Sequence, residues 1–263
     1  MTVSPSLVNR WVVSPTPRPG MKLRLIAFPY AGAGASVYAA WSRLLPADVE
    51  LCAVQMPGRE GRLGESLITS WEDVIPKLAE ALRPVLDRPF VFFGHSLGAA
   101  LAFELAHHLR RHLQPGPLHL FVSGRCAPHL PHKRAPTYNL PQPQFVHELG
   151  RWGTPKEVLN DPELLDLFLP LLRADFGLSE MHAYRPETPL AIPISAYGGE
   201  LDIHILPEDL DRWHDLTSSA FRRVSFPGDH FFLNEHRGVV LSELSKELHA
   251  IAAKQPIVFR PSV

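Results

Sequence analysis

Between an apolar run at residues 90–93 and another at residues 99–106 stand Gly94, His95, Ser96, Leu97 and Gly98, and no other stretch restricts the fold as much. The first run has the length and aromatic content of a buried strand; the second reads as a helix apolar on almost every face. A chain passing from strand to helix through G-x-S-x-G turns so sharply that side chains flanking the serine would clash, which accounts for the two glycines. The turn lifts the serine hydroxyl clear of the sheet edge and sets it at a helix N-terminus, where partial positive charge favours a developing anion. The spacing therefore predicts a nucleophile elbow with Ser96 at its apex.

A serine hydroxyl attacks poorly until a histidine takes its proton, and that histidine needs a carboxylate to hold its tautomer. After an elbow of this kind the acid and then the base follow in chain order. The acid belongs just past a late strand. Residues 191–197 read as that strand, and the turn after Gly198 and Gly199 offers Asp202, with Glu200 as the weaker rival. The base belongs in a loop after the last strand, where Phe226, Pro227, Gly228 and Asp229 lead to His230. His95 lies inside the elbow, but its side chain is expected to point away from Ser96 and pack beside the site. His107, His108 and His112 fall near the end of the elbow helix, where cationic character suits the dipole. Attack on an acyl carbonyl creates an oxyanion that needs two backbone N–H donors. Leu97 supplies one, and the loop after the first main strand supplies the other, from Ala31 or alternatively Tyr30.

Strand-like runs at 22–29, 50–55, 118–123, 191–197 and 221–226 alternate with helical stretches. These include one through Tyr38 and Trp41, one from a capping box at Ser70 and Asp73 towards Leu86 with Pro76 inside it, and others at 207–216 and 238–253. The alternation implies an α/β fold, a mostly parallel central sheet with helices on both faces, in a single domain over residues 1–263. Pro15, Pro17 and Pro19 with Gly20 mark a loop before the first strand. Residues 128–185 interrupt the rhythm. A proline-rich loop through Pro128, Pro131, Pro136, Pro141 and Pro143 leads into helical stretches at 143–149 and 161–181. The second has Leu164, Leu165, Phe168, Leu171 and Leu172 on one face and Pro170 where it would kink or split. Such an insertion, facing the carboxyl ends of the strands, reads as a helical lid over the serine.

With 263 residues, 45% of them hydrophobic, the chain can bury a full core. A formal net charge of −1 leaves no cationic excess for nucleic acid. Cys52 and Cys126 are the whole thiol supply, neither at metal-ligand spacing, so reduced, buried cysteines and no metal site are expected. The first ten residues lack the charge and apolar stretch of a signal peptide, and no window is long and apolar enough for a membrane span. These readings predict a cytoplasmic protein with no membrane partner, and nothing in them demands more than a monomer.

Six segments together resemble the type II (editing) thioesterases of polyketide and nonribosomal peptide assembly lines, members of the α/β-hydrolase superfamily. They are residues 28–36 (FPYAGAGAS), 55–60 (QMPGRE), 94–98 (GHSLG), 172–176 (LRADF), 198–202 (GGELD) and 228–232 (GDHFF), and they span nearly the whole chain. Ala33 departs from a second consecutive glycine, a small change. The resemblance implies an acyl group in thioester linkage to the phosphopantetheine arm of a carrier protein as substrate, attack by Ser96 with His230 as base, and no cofactor or metal. It implies the removal of stalled or wrong acyl groups. Carriers tend to be acidic, so Arg59, Arg62, Arg125, Lys133 and Arg134 are candidates to meet them, whereas Arg173 and Asp175 are expected to be structural or solvated. The rival readings are a general carboxylester hydrolase, a product-releasing thioesterase and a catalytically silent binding protein. A chain opening at Met1 favours a free-standing enzyme over the terminal domain of a larger one.

Overall fold

The computed structural model describes residues 10–18 and 20–255. The reading of the N-terminal ten residues falls, apart from Arg10, outside them, as does Pro19 of the proline loop. Among the described residues seven strands form one sheet: β1 (Val12–Val13), β2 (Leu23–Phe28), β3 (Val49–Val54), β4 (Phe90–His95), β5 (Leu120–Ser123), β6 (Ile194–Gly199) and β7 (Phe221–Phe226). Their order is β1-β3-β2-β4-β5-β6-β7, with every pair parallel except β1 against β3. Parallel neighbours need crossovers, and the helical connections cover both faces, so successive side chains along each strand enter opposite cores. Ile26, Phe28 and Phe92 pack on one face with α1 (Trp71–Leu82), α2 (Leu97–Arg111) and α6 (Pro207–Asp211). Leu25, Ala27, Val91 and Phe93 pack on the other with Tyr38, Trp41 and α8 (Arg237–Ala252).

Several elements differ from expectation for identifiable reasons. The segment through Tyr38 and Trp41 is a 3-10 helix, Ala35–Arg43. Pro193 cannot donate to a ladder, and β6 starts only at Ile194, beyond the expected Ala191. It then runs through Gly198 and Gly199, where a Cβ would lie 2.3 Å from Leu210 Cδ1 and 2.2 Å from the Asp229 carbonyl oxygen. Helix α1 begins as expected, with Ser70 Oγ accepting from the Asp73 N–H at 3.2 Å, and carries Pro76 within it.

The stretch between β5 and β6 holds α3 (Gln142–Arg151), the unforeseen α4 (Lys156–Leu159) and α5 (Pro162–Glu180). Of the expected kink or split at Pro170, the split does not occur: helix α5 runs unbroken past it, since a proline removes one main-chain donor from a helix of nineteen residues. Leu165, Leu171 and Leu172 are buried, but Leu164 faces solvent with Leu167. A further short helix, α7 (Phe232–Glu235), precedes α8. Both cysteines are free; Cys52 is buried, its thiol pushed up to about 12 by burial, while Cys126 is only half-buried. No helix among the described residues is long and apolar enough to cross a membrane.

The sheet ends differently on its two sides. β1 is two residues long, whereas β7 presents Arg222, which pairs with Glu243 and Glu247, and Arg223, whose Nε donates to Asp211 Oδ1 at 2.7 Å.

Under α8, Tyr197 donates its hydroxyl proton to Glu247 (2.8 Å), Ser195 does likewise (2.7 Å), and His119 Nε2 lies 2.9 Å from Ser195 Oγ. With the serine proton committed to Glu247, His119 must be the donor to Ser195. Burial lowers the His119 pKa to about 4, from 6.5. Unfolded chain therefore binds a proton that the native chain refuses between these values, and stability falls as pH drops from about 6.5 through about 4. Urea midpoints measured across that range should fall with pH, and the slope should shrink in His119→Asn.

Candidate active site

The elbow forms because its glycines allow two backbones to touch. A Cβ on Gly94 would lie 2.1 Å from the Gly98 carbonyl oxygen, and one on Gly98 would lie 2.1 Å from that of Phe28. Ser96, at the junction of β4 and α2, has φ 53° and ψ −115°, backbone that an L-residue holds only under strain. Its N–H donates to the Ser123 carbonyl at 2.8 Å, which ties the apex to the end of β5. Gly98→Ala should displace the helix N-terminus from the β2 loop and slow labelling of Ser96 by a serine-directed phosphonate about 100-fold. The rate of mass gain in intact protein measures this.

His230 and Asp202 meet from separate loops. His230 Nδ1 donates to Asp202 Oδ2 at 2.7 Å, and both residues are buried. Asp202 Oδ1 accepts the N–H groups of His204 (2.8 Å) and Ile205 (3.1 Å), which fix the carboxylate at the turn after β6. Burial opposes its ionisation, but the bonds from His230 and these two amides outweigh burial and hold the pKa below the usual carboxylate value. The Nδ1–H tautomer leaves His230 Nε2 free of its proton, ready to accept another. Glu200, the rival, is exposed at the strand end. His95 bonds through Nδ1 with Ser123 Oγ at 2.8 Å, and its ring centroid lies 5.0 Å from that of His230. Burial, then the nearby His230, keep its pKa well below 6.5, so it is a neutral packing partner.

The loop after β2 is clamped by the insertion. Gly32 N–H donates to Asp175 Oδ2 at 2.7 Å, and Ala33 N–H to the Tyr30 carbonyl at 3.0 Å. Among the described residues the N–H groups of Tyr30, Ala31 and, at the elbow, Leu97 have no acceptor, which leaves them available to a ligand. Arg59 forks onto Asp175 at 2.8 and 3.0 Å and donates to the Ala33 carbonyl at 3.1 Å. The Arg59 side chain is 5% exposed and that of Asp175 fully buried. Arg59 and Arg62 are among the candidates to meet a carrier at the surface. Both are instead interior: Arg62 donates to the Gln55 carbonyl and to Glu65, and covers the Trp11 ring. Asp175 is structural, as one of its two expected readings had it.

Ser96 opens onto a cavity of about 220 Å³ between the sheet end and the insertion. Trp152 and His204 line it, and neither carried a signal in the sequence. Their rings stack at 3.9 Å and 20°, and the indole meets His230 edge-on at 5.2 Å. Next to Trp152, a Cβ on Gly153, at φ +83°, would lie 3.0 Å from the Phe231 ring. The turn after α3 thus rests on both loops that carry Asp202 and His230. Arg125, Lys133 and Arg134 also line this cavity. A shallow groove between Leu44 and α8 contains none of these groups.

Residues 23–248 match the family model of the thioesterase domain. Gramicidin S biosynthesis protein GrsT of Aneurinibacillus migulanus is 40% identical over 249 residues, 94% of this chain and 97% of the relative. The structure of BorB, a type II thioesterase from the borrelidin biosynthetic cluster, is 33% identical and superposes with a TM-score of 0.82, covering 90% of this chain and 97% of BorB. RedJ, a thioesterase from the prodiginine biosynthetic pathway in Streptomyces coelicolor, is 34% identical with a TM-score of 0.81, covering 94% of this chain and 97% of its own.

Proposed function

Because this chain belongs to the thioesterase family and is an α/β-hydrolase-fold serine hydrolase acting on thioesters, we propose that Ser96, His230 and Asp202 carry out that hydrolysis on acyl groups held by carrier proteins. The observation that carries the assignment is the bond from His230 Nδ1 to buried Asp202, beside a serine held at a strained elbow. His230 Nε2 takes the Ser96 proton as Oγ bonds to the thioester carbon. The oxyanion is met by the N–H of Leu97 and that of Ala31, with Tyr30 the alternative for the second. The C–S bond then breaks, and the carrier thiol leaves with the proton from His230; a thiol of pKa about 8.5 needs little help. Water, deprotonated by His230, attacks the acyl-serine, and Ser96 recovers its proton as the acid departs. No step calls for a metal or cofactor.

The role is editing of misprimed or stalled carriers, and likeness to the type II thioesterase BorB supports it. The insertion acts as the lid within a single domain: α3 and α5 roof the cavity, and Trp152 shields His230 from water. A cytoplasmic, monomeric enzyme meeting several carriers in turn fits this work.

The test is loss of acyl mass from a panel of acyl-phosphopantetheinyl carrier domains, read by intact mass spectrometry beside matching free thioesters and simple esters. Carrier deacylation faster than release from free thioesters supports the reading. Turnover of simple esters with carriers untouched would make the chain a general ester hydrolase, and cyclised product would make it a releasing enzyme.

A further inference from the structure

Of the five basic residues expected to face a partner, three are engaged within the fold: Arg59 with Asp175, Arg62 with Glu65, and Arg125 with the hydroxyl and carbonyl of Ser179. Lys133 reaches the cavity mouth, but its ammonium is held by Asp209 at 2.6 Å. Arg134 is different. It is exposed, it lines the same cavity as Ser96, and among the described residues no carboxylate lies within ion-pair distance of it. The carboxylates on those walls are already committed. Asp209 accepts from Lys133 and the Leu206 N–H, Glu148 from Arg151, and Glu180 from Thr137 and Tyr138. Arg134 lies close enough to His204 for its charge to add to burial in lowering the pKa of that imidazole.

On either side of buried Asp202 two large aliphatic side chains face solvent. Leu201 is 70% and Ile203 71% exposed, and Ile203 also lines the cavity. Nothing internal covers them, although the turn that carries them holds the acid of the site. A rim that joins exposed aliphatics to an unpaired cation fits a partner bringing an anion to the mouth and apolar surface around it. Acyl-phosphopantetheine carries its anion at the end joined to the carrier. With the thioester at Ser96, the phosphodiester is the part left nearest the entrance.

We propose that Arg134, Leu201 and Ile203 form the carrier-docking rim. Arg134 takes the phosphodiester of the arm, and the two aliphatics take apolar carrier surface around the point of attachment. The proposal rests on the carrier-bound substrate proposed above, and its test separates the two. One acyl group is presented as the N-acetylcysteamine thioester, as free acyl-phosphopantetheine and as the acylated carrier domain. Arg134→Glu is expected to lower kcat/KM about ten- to hundredfold on the two substrates with phosphate, and far less on the N-acetylcysteamine thioester. It should also flatten the salt dependence of the carrier reaction. Leu201→Glu is expected to cost about tenfold on the carrier alone. Equal losses on all three substrates, or no loss on the carrier, overturn the rim. A loss in Arg134→Glu on the carrier without one on free acyl-phosphopantetheine overturns the phosphodiester assignment. If the unaltered enzyme deacylates no carrier, the carrier-substrate reading fails instead.

Discussion

Changing Ser96 to alanine is expected to lower kcat/KM for an acylated carrier by about 10⁴–10⁶-fold while leaving the fold intact. The substitution removes the oxygen that would form the acyl-enzyme, yet it leaves the His230–Asp202 pair and the Leu97 amide in position. What survives is binding and oxyanion stabilisation, a small part of the whole. His230→Ala should fall into the same range, and the double substitution should be no worse than either single one, because the two groups act on one proton. Intact mass spectrometry reads both the residual deacylation and the absence of acyl-enzyme. A loss of less than about 100-fold in Ser96→Ala would mean that another group is the nucleophile.

Asp175→Ala should behave in the opposite way, costing stability far more than turnover. It leaves the buried Arg59 guanidinium without its forked partner and the Gly32 N–H without an acceptor. Removing one member of a buried ion pair costs about 3–5 kcal/mol, which in a domain of this size lowers Tm by about 6–20 °C. The amides offered to the oxyanion are those of Leu97 and its Ala31 or Tyr30 counterpart, not that of Gly32. Activity per folded molecule should therefore drop less than about tenfold at low temperature. Replacing the pair together, Arg59→Met with Asp175→Leu, removes the stranded charge but takes their partners from the half-buried Gly32 N–H and the buried Ala33 carbonyl, so about 1–3 kcal/mol remains lost. Thermal melts beside initial rates separate these outcomes. A variant that melts normally but turns over no substrate would place Asp175 in the chemistry.

How much of this was legible depended on whether a signal was local. The elbow could be read because strand, G-x-S-x-G and helix are contiguous, and β7 because Phe221, Val224 and Phe226 are closed off by Pro227 and Gly228. Asp202 and His230 followed from chain order and turn chemistry, and the structure brings these two together, not Glu200. The start of β6 lies at Ile194 and not at Ala191 because Pro193 has no N–H for the ladder. The place of Arg59 was not legible because its partner lies 116 residues away on α5, and a lone arginine after a Pro-Gly turn looks solvated. The stack of Trp152 on His204 joins two segments that nothing in their own neighbourhoods connects.

The two borders of the sheet carry a consequence for how the chain meets copies of itself. A lone β1 of two residues gives a passing strand little to hydrogen-bond with, and β7 guards its flank with Arg222 and Arg223 neutralised from within by Glu243, Glu247 and Asp211. Any strand that docked there would have to break those pairs and bury their charges. Lengthening the sheet from chain to chain, a route by which exposed β borders seed aggregates, is thus disfavoured at both ends of the described sheet.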